Sequence, residues 1–435
     1  MSRIDPEAAR EFARDVALRL QSAGYEALWA GGCVRDDLLK RTPKDYDVAT
    51  SARPEEVQQV FRDRKTLAMG AQFGVIAVLA PRRPAGQVEV ATFRKDFDYR
   101  DGRRPDRVAF STSREDALRR DFTINGMFMD PRDESVIDYV GGREDLEQGL
   151  IRAIGDPHAR IEEDKLRMLR GIRFAATFDF GIESATFEAI QRHAKQLAVV
   201  SAERIAEELR RIAALPGRAR GVELLADSGL FRQIVPAIEP ALQNDAIRGI
   251  LREGLARMEQ PSFGLFLAWI VRAAHSGACG AWDPLRPPAS EEGELCLQTA
   301  LRLKLSREER DEAAYLLASS QAVHLAATRR WSEVQRILVD PRRERLLDFC
   351  RLEGDVAGAP PEGIARCEAR LAEGEGTWNP PPLIAGGDLK RLKIAPGPEF
   401  RRVLEAVRDA QLDGQIVTRE EAERFAATIG RPAGD

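Results

Sequence analysis

Asp45 and Asp47 stand one residue apart in "PKDYDVATS", with Tyr46 between them and an apolar run beginning at Val48. If "YDVAT" is a strand, both carboxylates project from one face, because side chains alternate with a period of two. Carboxylates this close repel, and a divalent cation held between them removes the repulsion. Magnesium suits such oxygen ligands and commonly shares them with substrate phosphates. Two-metal nucleotidyl transfer uses this arrangement to activate a hydroxyl and steady the departing phosphates. In isolation the same pair also fits a capped turn and a solvated side chain, since turns favour aspartate.

The flanking residues narrow the choice. Gly32 lies thirteen residues before Asp45, in "GGCVRD". Glycine permits close backbone approach, so this stretch predicts a turn whose N–H groups face an anion. Arg35 would then meet a phosphate through its forked donors. Glu89, in "VEVAT", would supply a third carboxylate on a neighbouring strand, and equally suits a solvent-facing strand residue.

A second constellation is "EEDKLRMLRGIRF" (162–174). Asp164, Arg167, Arg170 and Arg173 recur every three residues, which predicts one slanted ridge along a continuous helix. Leu166, Leu169 and Ile172 would pack inward beside it. Such a ridge also suits an exposed, salt-bridged helix face. Asp164 offers only acceptors and Arg167 only donors. Cytosine and adenine each present an amino donor beside a ring acceptor on the pairing edge. Uracil and guanine present the opposite order. An Asp164–Arg167 pair would accept the first two bases and reject the others, in the way that enzymes read an unpaired base by its Watson–Crick edge. A third stretch, "LRRDFTINGMFMD" (118–130), offers Arg120 to neutralise triphosphate charge, with Asp121 and Asn125 to bond ribose hydroxyls, while Asp121 equally suits a helix cap.

The elements that must position these groups follow from the pattern. "ALWAGG" (27–32) reads as a strand entering a glycine turn, and "FGVIAVLA" (73–80) and "QVEVATF" (87–93) as further strands. Beyond Asp156 helical periodicity takes over, and Ser201 is placed to cap the helix of "SAERIAEELRRIAAL". Proline-rich breaks at 282–294, 356–363 and 378–387 predict linkers or long loops between helical pieces. With 435 residues, 43% of them hydrophobic and 31% charged, several domains of a helix-rich protein are expected. The net charge of −4 requires any nucleic-acid site to be a local basic patch. No apolar run is long enough for a membrane span, the first helix candidate has no apolar signal core, and the five scattered cysteines form no CxxC pair. These features predict a reduced, cytoplasmic protein without a zinc site.

Together these stretches resemble the class II tRNA nucleotidyltransferase and bacterial poly(A) polymerase family, within the polymerase-β-like nucleotidyltransferases. "GGCVRDDLLKRTPKDYDVAT", "VEVATFRKDFDYRDGRRPDRV", "RRDFTINGMF", "VIDYVGGREDLEQGLIRAIGDP", "EEDKLRMLRGIRFA" and "VSAERIAEEL" carry the resemblance over about residues 25–212. It implies an α+β catalytic head of small mixed sheet and helices at 1–157, then an all-α neck at 158–217, body at 218–330 and tail at 331–435. The neck would select the base, and the body and tail would bind tRNA. It further implies Mg2+ on Asp45 and Asp47, triphosphate contacts from Gly32 and Arg35, and a nucleotide contact from Arg120. Base selection would fall to Asp164 and Arg167, with Arg170 and Arg173 beside the nucleotide.

The expected activity is addition of C, C and A to tRNA 3′ ends from CTP and ATP, releasing pyrophosphate. The C-terminal "LDGQI" and the absence of a basic extension resemble CCA-adding enzymes. So does "FDYRDGRRPDRVAF" (97–110), which resembles a loop that CC-adding-only enzymes lack. "GAQFGVIAV" departs from the histidine-glycine-threonine of many CCA-adding enzymes. A poly(A) or A-only polymerase would carry the same motifs, and a catalytically silent RNA-binding or nucleotide-sensing protein is the alternative of another class.

Overall fold

Short apolar strands, each flanked by turn residues, build the sheet that carries the acids. The computed structural model describes residues 5–69, 74–81, 85–97, 107–394 and 397–430. Internal contacts group the chain into two compact units, Met1–Ile234 and Val235–Asp435. The boundaries expected near 157, 217 and 330 lie inside these units.

In the first unit, α1 (Pro6–Ser22) begins at Asp5, whose side chain accepts the Glu7 and Ala8 N–H groups, with Pro6 in the first turn. There follow β1 (Ala27–Ala30), α2 (Gly32–Leu38), β2 (Asp47–Thr50), α3 (Pro54–Val60), β3 (Thr66–Ala68), β4 (Val75–Leu79) and β5 (Gln87–Thr92). A hairpin of β6 (Arg94–Phe97) and β7 (Arg107–Phe110) leads to α4 (Ser113–Leu118), a 3-10 turn at Thr123–Asn125, β8 (Phe128–Met129) and β9 (Val136–Ile137). The main sheet runs β3-β4-β5-β2-β1-β8-β9. Within it β2 and β5 pair in parallel, with Asp47 opposite Glu89 and Val48 opposite Val90.

Alternation places the two faces of this sheet in different surroundings. Trp29, Tyr46, Val48, Val88 and Val90 join Phe12, Val16 and Leu20 of α1 in the larger core. Leu28, Ala30 and Ala49 face the smaller cluster around Phe93, Ala117 and Phe128. Each fully buried aliphatic side chain, such as Leu20 or Val48, stabilises the fold by about 1.5–3 kcal/mol. Because Val48 is committed to the larger core, Asp47 emerges from the opposite face, whereas Asp45 precedes β2 and lies outside the strand's alternation.

The chain continues through α5 (Gly142–Gln148), β10 (Leu150–Ile151), α6 (Pro157–Glu163), α7 (Arg167–Phe178), β11 (Gly181–Ile182), α8 (Ser184–His193), α9 (Ala202–Ala213), α10 (Arg218–Asp227) and α11 (Leu230–Ile234). Leu166, Leu169 and Ile172 are buried, as their spacing requires. One expectation fails here: residues 162–174 do not form a continuous helix. Asp164 is extended (φ −146°, ψ 106°) and ends α6, and its Oδ1 accepts the Leu166 N–H at 3.0 Å. That local bond competes with the helical ladder and restarts the helix at Arg167. Ser201 occupies the N-cap of α9 with extended backbone, but its side chain makes no capping bond.

The second unit is helical among its described residues. The helix Phe263–Cys279 is buried along most of its length and packs against Asp245–Arg257, Ser290–Arg302 and Arg307–His324. Its Arg272 donates to Glu292 at 2.6 Å, Glu353 at 2.7 Å and the Ser320 hydroxyl at 3.0 Å. A separate cluster of Leu389, Val403, Val407 and Ala422 gathers the last three helices. The proline-rich breaks are shorter loops than expected, at 280–289, 358–361 and 379–385, with helices beginning or ending inside the expected ranges. No helix among the described residues is long and apolar enough to cross a membrane.

Candidate active site

A cavity of about 570 Å³ opens in the first unit where the end of β1, the start of β2, the turn before Phe122 and α7 converge. Gly32, Arg35, Asp47, Glu89, Arg120, Asp121, Asn125, Asp164, Arg167, Arg170 and Arg173 all line it. The segment after β1 is a strand–glycine–helix junction rather than a free turn. Gly31 holds φ 72°, and a Cβ there would lie 2.7 Å from Arg120 Nη1. Both the left-handed backbone and the approach of the guanidinium therefore require glycine at position 31.

Of the sequence-predicted site residues, Asp45 alone is absent from this lining. It precedes β2 and lines an adjoining cleft of about 250 Å³ with Lys44, Tyr46 and Gln87. The two clefts share Asp47 and Glu89. Although Asp47 is exposed to the clefts, burial among protein groups, then the charges of Asp45 and Glu89, push its carboxyl up to about 7. Asp47 and Glu89, cross-strand partners, offer the hard oxygen donors that a divalent cation takes, although the three acids do not all bring ligand atoms within 4.8 Å of one another.

Most of the lining arginines are held from behind by an acid. Arg35, which is buried, donates to Asn125 Oδ1 at 2.6 Å and to Asp36 Oδ1 at 2.7 Å. Arg120 pairs with Asp116 at 3.0 Å, Arg170 with Asp121, and Arg173 with Glu208 at 2.6 Å. Asp121 lines the cavity, yet its carboxylate is already filled. Oδ1 accepts from Phe122 N and Asn125 Nδ2, and Oδ2 accepts two N–H groups of Arg170. Four donors occupy the roughly four acceptor positions of a carboxylate, leaving no lone pair for the ribose hydroxyl expected there. Burial would raise this carboxyl, but Arg170 and the bond from Asn125 outweigh it and hold it well below the usual range.

Asp164 and Arg167 meet at the cavity even though the helix between them is broken. Arg204, from α9, donates to Asp164 Oδ2 at 2.7 Å. Arg167 Nη1 donates to Arg160 O and Glu163 Oε2, and Nη2 to Arg119 O at 3.1 Å. Each Asp164 oxygen keeps a second acceptor position, and Arg167 keeps Nε–H and one Nη2 hydrogen.

Sequence reasoning missed the residues that brace these groups. Arg94 and Arg119 also line the cavity. Asp116, Glu163, Arg204 and Glu208 hold its arginines and Asp164. The four-residue spacing of Asp116 and Arg120 was a usable signal; the thirty-five residues between Arg173 and Glu208 offered none. The loop resemblance at 97–110 and the "GAQFGVIAV" departure fall largely on residues 98–106 and 70–73, outside those described. In the second unit His324, Cys350 and Glu353 bring ligand atoms within 4.8 Å of one another. Arg272 already supplies the cation there, bonded to Glu353.

Comparison with known proteins agrees with this geometry. Residues 27–152 match the family model of the poly A polymerase head domain, and residues 179–242 that of the probable RNA and SrmB-binding site of polymerase A. The CCA-adding enzyme of Pediococcus pentosaceus is 43% identical over 214 residues, 49% of this chain and 52% of that protein. That of Streptococcus agalactiae is 41% identical over 227 residues, 52% and 54% of the two. These matches span about half the length of the curated relatives. A crystal structure of the Bacillus stearothermophilus CCA-adding enzyme in complex with CTP is 28% identical, covers 96% of both chains and superposes with a TM-score of 0.73. The Thermotoga maritima CCA-adding enzyme complexed with tRNA, 21% identical with a TM-score of 0.65, shares the fold over 98% of this chain and 96% of its own. Sheet, acids and helical continuation define a polymerase-β-like nucleotidyltransferase fold. Over residues 27–152 and 179–242 the chain is similar to the class II CCA-adding enzyme and poly(A) polymerase family.

Proposed function

We propose that this protein adds C, C and A to the 3′ end of tRNA from CTP and ATP. The observation that carries the reading is the position of Asp47 and Glu89, cross-strand partners shared by an arginine-lined cavity and a second cleft. A nucleoside triphosphate in the first and a ribose 3′-hydroxyl approaching from the second would meet at the acids. The hydroxyl oxygen attacks the α-phosphorus, the bond to the β-phosphate bridge breaks, and pyrophosphate departs.

Asp45 and Asp47 would hold Mg2+, with Glu89 beside them. Bound there, the ion would lower the hydroxyl's pKa and offset charge on the reacting phosphate. Gly32, Arg35 and Arg120 receive the triphosphate. Asp164 accepts the amino group of cytosine or adenine while Arg167 donates to the adjacent ring nitrogen. Asp121 and Asn125 set Arg170 and Arg35 from behind, and Arg173 stands beside the nucleotide.

The head, neck, body and tail at 1–157, 158–217, 218–330 and 331–435 are retained as functional subdivisions. The helical parts engage tRNA by backbone and shape. Five free cysteines accord with a cytoplasmic setting.

Incubating the protein with tRNA lacking CCA, and separately with tRNA ending in CC, tests the reading. CTP incorporation followed by one A on the first substrate is expected. ATP use alone makes the protein an A-adding or poly(A) enzyme, and no incorporation on either substrate favours a silent binding protein.

A further inference from the structure

Asp116 touches no part of the cavity lining's open surface, being 1% exposed, yet it sits under three of the lining residues. Its Oδ1 accepts Arg119 Nε at 2.8 Å and Nη2 at 2.6 Å. Its Oδ2 accepts Arg120 Nε at 3.2 Å and Nη2 at 3.0 Å. The Arg94 N–H, at the start of β6, reaches Oδ1 at 3.3 Å, and Arg119 Nε returns a bond to the Arg94 carbonyl. One carboxylate therefore takes two guanidinium forks, one on each oxygen, and a backbone N–H besides.

The consequence reaches further along the wall. Arg120 Nη1 donates to the Asn125 carbonyl at 3.2 Å and lies 2.7 Å from where a Cβ on Gly31 would be. Arg119's own carbonyl accepts Arg167 Nη2. Two arginines adjacent in sequence normally turn apart on a helix end, where successive residues lie about 100° from each other. A buried acceptor with both oxygens in use overrides that divergence.

We propose that Asp116 is a positioning residue of the nucleotide site, presenting Arg119 and Arg120 together to the triphosphate. The proposal rests on the nucleotidyltransferase reading of this cavity. It makes carboxylate reach, not charge alone, the quantity that matters. Asp116→Glu retains the charge and moves it by one methylene, so it separates positioning from simple neutralisation.

The test is steady-state kinetics on tRNA lacking CCA, for the full-length wild type, Asp116→Glu and Asp116→Asn, with thermal melting measured on each. Asp116→Glu should raise KM for CTP and for ATP by the same factor, about ten-fold, with kcat changed less than about two-fold. Its preference for CTP over UTP should be unchanged. In an Arg120→Ala background the rise caused by Asp116→Glu should shrink markedly, because one of the two forks is gone. A folded Asp116→Glu protein with wild-type KM overturns the proposal, as do effects that simply multiply in the double variant. If Asp116→Asn fails to fold, the glutamate variant decides alone. If both fail, apparent CTP affinity of Arg119→Lys, which keeps the charge and loses the fork, decides by the same criterion. Failure of the underlying reading looks different: the wild type itself would incorporate no nucleotide.

Discussion

Asp47 and Glu89 face each other directly across the parallel pairing of β2 and β5. Neighbouring strands lie about 5 Å apart, and like charges opposite one another destabilise a sheet. The charge of nearby Asp45 also acts on Asp47.

That crowding has a measurable sign. Burial and the neighbouring acids raise the Asp47 carboxyl to about 7 in the folded protein. Near pH 4 the proton is still bound in the folded state and about half lost from the unfolded chain. As pH rises toward 7 the unfolded chain releases it first, so stability falls, and the full loss is present above 7. In chelator at pH 8, Asp47→Asn should melt at a higher temperature than the wild type, with the gap closing toward pH 4. Added Mg2+ should raise the wild-type melting temperature more than that of the variant. Equal melting curves at both pH values would refute the account.

Base choice should depend on Asp164. Its free acceptor positions match the amino groups of cytosine and adenine, and a well-placed hydrogen-bonding pair supplies about 1–3 kcal/mol of discrimination. Asp164→Ala should lower the preference for CTP over UTP by about ten-fold or more while changing triphosphate affinity less. Competition assays read this ratio, and an unchanged ratio removes Asp164 from base selection.

Asp121 predicts an acid-dependent stability. Arg170 and Asn125, acting against burial, hold its carboxyl well below the ordinary range. The stabilisation is complete above the ordinary carboxylate pKa and is lost as pH falls toward the depressed value. Asp121→Asn should destabilise by about 2–3 kcal/mol at neutral pH. The difference from wild type should narrow as pH drops below about 4. A penalty independent of pH would contradict the ion pair.

The second unit offers a separate test. Glu353 is fully buried, bonded to Arg272 at 2.7 Å and to His324 at 2.9 Å. Removing one partner of such a buried pair leaves an uncompensated charge, so Glu353→Ala should cost about 3–5 kcal/mol in denaturant unfolding. A loss below about 1 kcal/mol would mean that Arg272 is satisfied by Glu292 and Ser320 alone.

How far the sequence announced this architecture differs from residue to residue. Alternation around Val48 and Val90 marked the strands and the side from which the acids emerge, because a period of two leaves little choice once one face is buried. The three-residue spacing of Arg167, Arg170 and Arg173 was equally legible. Asp164 was misplaced because its side chain bonds Leu166 N–H, a local competition that periodicity does not register. The saturation of Asp121 and the bracing by Asp116, Glu208 and Arg204 depend on which side chains meet after folding, and spacing along the chain is silent on most of that.

The arginines of the cavity come already provided with counter-charges. An incoming polyphosphate does not capture bare cations; it must share them with Asp36, Asp116, Asp121 and Glu208. On the proposed function, part of the electrostatic attraction would offset those rivals, which would moderate the grip on triphosphate and let the severed pyrophosphate leave between successive additions.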